Sequence, residues 1–235
     1  MEIFDAIILG GGKAGKTLAM DLAKSGKQIA MIEQNKIGGT CINVGCIPTK
    51  TLRANANYYH HLKIAEQFGV KLTNISMNFS EVIDRKDKIV QEMREANHKA
   101  FLNSGMNLFL GKGAFVDNKT IEVQMNDGSP TRQLRAENIF INTGATPFIP
   151  PVPGLNEVDY LTNETLMNLK KLPKKMLVLG GGYIGLEFSQ MFRHFGCDVD
   201  IIEMNETFIS LEDRDIADQL QQILLRDGIG LHLGA

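Results

Sequence analysis

Two cysteines, Cys41 and Cys46, stand in the run Gly38-Gly39-Thr40-Cys41-Ile42-Asn43-Val44-Gly45-Cys46-Ile47-Pro48-Thr49-Lys50. Three chemistries are open to a C-x₄-C pair. Cysteine is a common core residue, so both could be buried free thiols. A metal site needs more donors, but no second cysteine pair exists and His60-His61 is not at zinc-finger spacing. The third is reversible dithiol–disulfide exchange, and the context favours it. The glycines around Cys41 allow close approach to a planar cofactor. A helix start or Lys50 nearby would lower a thiol pKa toward the thiolate that exchange requires. Cys197 has no motif around it and reads as structural.

Glycine motifs flank this pair on both sides. Gly10-x-Gly12-x-x-Gly15 follows an apolar run and opens a helical stretch, and Glu33 ends the next apolar run. Such glycines let backbone approach a pyrophosphate at a helix N-terminus, and a terminal carboxylate accepts hydrogen bonds from ribose hydroxyls. Gly180-x-Gly182-x-x-Gly185 repeats the arrangement, with Glu203 at the same spacing. Two dinucleotide sites in one chain suggest two cofactors, one passing electrons to the other. An acid at Glu203 suits the free ribose hydroxyl of NAD and repels the added phosphate of NADP, so NADH is the preferred donor. One competitor is the P-loop, since Gly10 to Thr17 also fits G-x-x-x-x-G-K-[ST], with Lys16 on phosphate and Thr17 on magnesium. The second copy lacks Gly-Lys-Thr, and Glu33 has no role in a P-loop. Both facts favour the dinucleotide reading.

The elements that must position these residues can be read around them. Asp5–Leu9 and Gln28–Glu33 are buried parallel strands, joined by a helix over Ala14–Leu22 that Ser25-Gly26 stops. A long helix runs from Asn78 or Ser80 to Ser104-Gly105. Ile121–Met125 alternates, Asp127-Gly128 marks a hairpin turn, and Asn138–Asn142 is another buried strand. The prolines between Pro147 and Pro153 mark a domain boundary. Beyond them come a strand at Met176–Leu179, a helix at Tyr183–Phe195 and a strand at Asp198–Glu203. A helix at Asp213–Arg226 and a strand from Gly228 complete the series. The fold class is α/β: a Rossmann-like dinucleotide domain over 1–150, then a second, incomplete one over 151–235.

Bulk properties narrow the classes. The 235 residues are 43% hydrophobic and 22% charged, with a formal net charge of −2. No basic excess exists to neutralise nucleic-acid phosphates. No apolar run approaches membrane-spanning length and the acidic start is unlike a signal peptide, so the expectation is a cytoplasmic protein without a membrane partner.

The string G-G-T-C-x₃-G-C-x-P-[ST]-K, with a glycine motif on each side, resembles the class I pyridine nucleotide-disulfide oxidoreductases. That family includes dihydrolipoamide dehydrogenase, glutathione reductase and mercuric reductase. Gly12–Ala19 and Leu211–Asp218 look most like its reactive-chlorine-resistance and hypothiocyanous acid reductase branch. The resemblance implies FAD in the first domain, held by Gly10, Gly12, Gly15 and Glu33. Gly39, Thr40 and Lys50 would line the flavin side, Gly113-Ala114 would meet adenine through backbone, and Thr143-Gly144 would turn against the flavin. It implies that Cys41 is the interchange thiol and Cys46 the thiol beside the flavin. Tyr183 would be the gate before nicotinamide, although an aromatic in the first turn of a packing helix needs no such role. Lys50 and Glu187 would form an ion pair. Gly180, Gly182, Gly185 and Glu203 would hold NAD(P)H, and no metal site is implied. The substrate would be a small disulfide, a thiol-reactive oxidant or a metal ion. Family members are also longer, which implies a segment returning to the FAD domain and a C-terminal interface domain. That domain carries the dimer contacts and a His-Glu acid–base pair, and none of the five histidines here stands in a matching motif. The expectation is therefore a homodimer for the full-length family, and a truncated chain with impaired turnover here. The alternative to this leading reading is a non-catalytic flavin-binding module.

Overall fold

A computed structural model describes residues 1–235. The elements in chain order are β1 (Glu2–Leu9), α1 (Lys13–Lys24), β2 (Ile29–Glu33), α2 (Gly39–Asn43), α3 (Cys46–Lys63) and α4 (Phe79–Leu102). They continue with β3 (Asn107–Asp117), β4 (Thr120–Met125), β5 (Arg132–Ile141), α5 (Asn163–Leu166), β6 (Lys175–Leu179), α6 (Tyr183–Phe195), β7 (Asp198–Glu203), α7 (Arg214–Arg226) and β8 (Gly230–Leu233). The chain divides into two compact units, 1–48 with 87–158 and 49–86 with 159–235. The division falls near Val158, close to the proline-rich boundary. It also assigns residues 49–86, which the sequence reading kept with the first domain, to the second unit.

In the first unit β1 to β5 form a closed barrel. β1 pairs in parallel with β2 and β5, and β2 with β3, while β3–β4 and β4–β5 are antiparallel. Alternate side chains serve two cores. Ile7, Ala30, Ile32, Phe109, Ile121, Val123 and Leu134 fill one cluster. Ala6, Ile8, Ile29 and Met31 point the other way, to Ala19 of α1 and Phe101 of α4. Burial on both faces explains why β1 and β2 read as continuous apolar runs rather than alternating ones.

The second unit holds a parallel sheet in the order β6–β7–β8. Its core includes Val199 and Ile201 of β7, Met191 of α6 and Leu224 of α7. Phe79, Phe192 and Phe195 pack edge-on or tilted, with centroids 5.4–6.2 Å apart. α6 ends at Gly196 in the left-handed conformation, where the amides of Gly196 and Cys197 return to Phe192 O.

Two expectations are corrected. The expected buried strand at 138–142 is the distal half of β5, and Phe140 and Ile141 are exposed. That half pairs only with β1, because β4 leaves β5 after Arg135. The second correction is an omission: α3 and β3 were not read from the sequence. α3 carries Pro48 in its first turn, where a missing N–H costs nothing. Its buried Leu52 and Ala56 stand among the polar Arg53, Asn55 and Asn57, which obscure the apolar spacing. No helix is long and apolar enough to cross a membrane.

Candidate active site

The glycine loop of the first unit is built by its neighbours. Gly10 adopts φ +110°, and a Cβ there would lie 2.1 Å from the carbonyl oxygen of Asn142. Asn142 in turn donates its own amide to Leu9 O and its side-chain Nδ2–H to Gly10 O. α1 then starts at Lys13 behind Gly12, and no side chain caps its first amides. Those amides and the helix dipole form an anion-binding end. Glu33 is buried, and its carboxylate accepts from the Gly11 amide at 2.8 Å and from the Asn35 amide at 2.7 Å. A carboxylate has acceptor capacity beyond those two bonds. Gly113 and Ala114 lie on β3 opposite Val123 and Glu122 of β4, and a Cβ on Gly113 would press on Leu9. Thr143 and Gly144 are exposed beyond the end of β5.

Gly39 carries the cysteine segment onto this loop. The Gly38 amide donates to Gly11 O at 3.1 Å, and a Cβ on Gly39 would sit 2.7 Å from Gly12 Cα. Thr40 and Cys41 follow in α2, and Cys46 opens α3. Asn43 secures the turn between them: its Nδ2–H₂ donates to Ile37 O and Gly39 O, and its Oδ1 accepts from Arg94 Nε at 2.9 Å. Both thiols are free, Cys46 exposed and Cys41 partly so. The Cys41 thiol hydrogen-bonds to Cys46, and that contact is the main reason its pKa is raised, followed by burial. The Lys13 ammonium acts in the opposite direction.

Lys16 is not placed as a P-loop lysine. It lies in the second turn of α1, and its ammonium is bonded to Asn97 of α4. The helix opens before the Gly-Lys-Thr triplet rather than at it, so the sequence match does not become a P-loop.

The second unit repeats the loop. Gly180 has φ +104°, Gly182 stands before α6 without a side-chain cap, and a Cβ on Gly185 would lie 2.2 Å from Gly180 O. The Gly181 amide donates to Glu203 at 2.8 Å, as Gly11 does to Glu33. Hydrogen bonds from the Asn205 and Gly181 amides hold the Glu203 carboxyl below its usual range. Tyr183, first in α6, is 83% exposed. Lys50 and Glu187 meet at 2.5 Å, with Arg53 at 3.7 Å from the same carboxylate. That pair is open to solvent on the lysine side, so its worth to stability is small.

Asn43 and Asn142 escaped the sequence reading. Both act by fixing backbone, and an isolated asparagine gives no spacing signal. Cys197 is structural: burial, then the Asp198 carboxylate, push its thiol up to about 11. We expect Cys41 and Cys46 of the reduced protein to react with a disulfide reagent at pH 8 while Cys197 reacts only after unfolding. Fast modification of three thiols in the folded protein would contradict this. Because the folded thiol holds its proton more tightly than an unfolded one, Cys197 also makes stability fall as pH rises from about 9 to about 11.

Comparison with known proteins agrees with this arrangement. The sequence profile described as pyridine nucleotide-disulphide oxidoreductase matches residues 4–235. The probable pyridine nucleotide-disulfide oxidoreductase RclA of Escherichia coli K12 is 40% identical over all of this chain and 50% of its own length. A mercuric reductase of Lysinibacillus sphaericus is 35% identical over 99% of this chain and 42% of its own length. A dihydrolipoyl dehydrogenase of Chlamydia muridarum is 32% identical over 100% of this chain and 50% of its own length. The solved structure of a Cu(II) complex of the HOCl-induced flavoprotein disulfide reductase RclA superposes with a TM-score of 0.88 at 39% identity. It covers all of this chain and half of that one. The chain thus spans about half the length of the curated relatives it matches. With a profile match across nearly its whole length, the chain belongs to the pyridine nucleotide-disulphide oxidoreductase family.

Proposed function

We propose that this chain provides the FAD site, the NAD(P)H site and the redox-active cysteines of a disulfide reductase. The observation that carries the reading is Cys41–Cys46 seated through Gly39 on the glycine loop that Glu33 braces. FAD, when bound, supplies two-electron exchange between a nicotinamide and a dithiol. The first unit fits it. The open amides at the start of α1 suit a pyrophosphate, Glu33 suits a ribose, and a side chain at Gly10 would obstruct the loop. Residues 1–150 are then the FAD domain and 151–235 part of the nicotinamide domain, with Gly180, Gly182, Gly185 and Glu203 on the second dinucleotide. Tyr183 is the gate, and Lys50 with Glu187 orients charge beside the flavin.

The protein's own step is thiol exchange. The Cys41 thiolate attacks one sulfur of the substrate disulfide and releases the other as a thiol. Cys46 then attacks Cys41, releasing the second thiol and leaving the Cys41–Cys46 disulfide to be reduced again. Exposure of Cys46 and partial exposure of Cys41 suit a small disulfide, a thiol-reactive oxidant or a thiophilic metal ion. We further propose a homodimer in the cytoplasm, where a working thiol pair can be kept reduced.

The test is the visible spectrum of the purified protein, followed anaerobically during addition of NADH. A flavin spectrum that NADH changes supports the reading. Flavin without a response to NADH would favour a non-catalytic flavin-binding module, and a protein that takes up no FAD would overturn both. NADH should bind at least about tenfold more tightly than NADPH, because Glu203 would face the added phosphate. Glu203→Ser should narrow that ratio, and equal affinities in the parent protein would remove Glu203 from the specificity role.

A further inference from the structure

We propose that Arg94 is a positioning residue for the Cys41–Cys46 pair, acting through Asn43 to hold the turn between the cysteines in a shape that lets their sulfurs join. The proposal rests on reading Cys41–Cys46 as the redox pair. Asn43 ends α2, two residues after Cys41 and three before Cys46. Its Nδ2–H₂ reaches back to three carbonyls, Lys36 O and Ile37 O at 3.2 Å and Gly39 O at 2.9 Å. Its Oδ1 accepts from Arg94 Nε of α4 at 2.9 Å. The guanidinium is itself oriented by Gln91, whose Oε1 accepts from Nη1 at 3.0 Å, and Gln91 Nε2 donates to Glu95 at 2.7 Å. A chain of direct hydrogen bonds thus joins α4 to the cysteine turn, all of it inside the first unit.

Backbone contacts close the turn itself. The Val44 amide donates to Thr40 O at 2.9 Å, and a Cβ on Gly45 would lie 2.9 Å from the same oxygen. Cys41 therefore stands between two fixed points: Gly39, pressed on Gly12 of the glycine loop, and Asn43, tied to α4. A disulfide closes only over a narrow range of separations and angles. A turn already held near that range loses less freedom on closing, which raises the effective concentration of one thiol at the other. The closed form is favoured, and a dithiol that closes readily is the better reductant of a substrate disulfide. The bonded partners of the guanidinium are the neutral amides of Asn43 and Gln91, so Arg94 works by fixing geometry. A bond from an ionised donor is stronger than one between neutral groups, which suits this use.

The experiment is anaerobic equilibration of the purified chain in glutathione buffers of stepped ratio. Protein dithiol and oxidised glutathione give protein disulfide and two reduced glutathiones, with two electrons and two protons passing to the glutathione sulfurs. Acid quenching, alkylation and mass spectrometry of the peptide holding Cys41 and Cys46 give the closed fraction. Arg94→Met should lower the equilibrium constant for closure by about five- to tenfold, the scale of one net hydrogen bond. Arg94→Lys, which keeps a donor, should recover most of the loss. Lys99→Met, the same charge change on an exposed residue of α4, should leave the constant unmoved. Asn43→Ala should lower it at least as far as Arg94→Met, and the double variant no further than Asn43→Ala, because one residue acts through the other. An Arg94→Met constant equal to that of the parent overturns the proposal, as does an equal loss in Lys99→Met or full additivity in the double variant. Should Asn43→Ala fail to fold, the Arg94 and Lys99 variants decide alone. A parent pair that stays dithiol at every ratio would sink the redox reading itself, which is a separate result.

Discussion

Cys41→Ser is expected to abolish disulfide reduction by the FAD-loaded protein, with a loss on the order of 10³-fold or more, the scale reached when a nucleophile is removed. Cys46→Ser should be equally inactive in turnover, but it should fail at a different step. Cys41 can still attack the substrate, and the mixed disulfide then persists because no second thiol resolves it. Intact mass after substrate addition should therefore show a covalent adduct on Cys46→Ser and none on Cys41→Ser. The asymmetry has a structural source. Cys41 lies partly buried within α2, whereas Cys46 is exposed at the start of α3, so the two sulfurs sit in different surroundings. An adduct on Cys41→Ser instead would reverse the two roles. Residual turnover above a tenth of the parent in either variant would remove the pair from the reaction.

Gly10→Ala should be far more damaging than Gly180→Ala, although the two glycines occupy corresponding places and have nearly the same φ, +110° and +104°. Each substitution incurs left-handed strain of about 1–3 kcal/mol. Gly10→Ala adds a collision, because its Cβ would lie 2.1 Å from Asn142 O, whereas nothing lies within 4 Å at Gly180. Relief requires β5 to move away from β1 where the Asn142 amide bonds Leu9 O. We expect a total cost of about 3–5 kcal/mol for Gly10→Ala, a large part of the stability of an ordinary domain. Gly180→Ala should cost about 1–3 kcal/mol. Urea denaturation followed by circular dichroism distinguishes the two, and equal midpoints would show that the Asn142 contact is not a constraint. The difference arises from sheet position. β1 has a strand on each side, while β6 is an edge strand with Leu177 and Leu179 exposed.

The division between what was legible and what was not follows the range of the interactions. Both glycine loops, their terminal acids and the cysteine segment were readable, because each depends on residue types at short spacing around one strand–helix turn. β1, β2, β6, α6 and α7 were readable for the same reason, the strands as short apolar runs and the helices by their apolar spacing. β3 and the distal half of β5 were not. β3 leaves β2 after Leu110 to pair with β4 from Gly111, and β5 leaves β4 to follow β1. Whether Ile141 is buried depends on which strand lies beside it, and no local pattern encodes an absent neighbour. Lys16 makes the same point from the side of chemistry. Its eight-residue string satisfies a P-loop pattern, yet the helix begins three residues earlier and Asn97, from a helix distant in sequence, takes the ammonium. The sequence by itself determined the two glycine loops and the segment that carries the thiol pair, since these are written in local backbone requirements. Tertiary structure alone decided that Asn97 takes the Lys16 ammonium, which thiol is the more exposed, and which glycine cannot be replaced. Those outcomes depend on contacts among α1, α2, α3, α4 and β5, segments separated by tens of residues that only folding brings together.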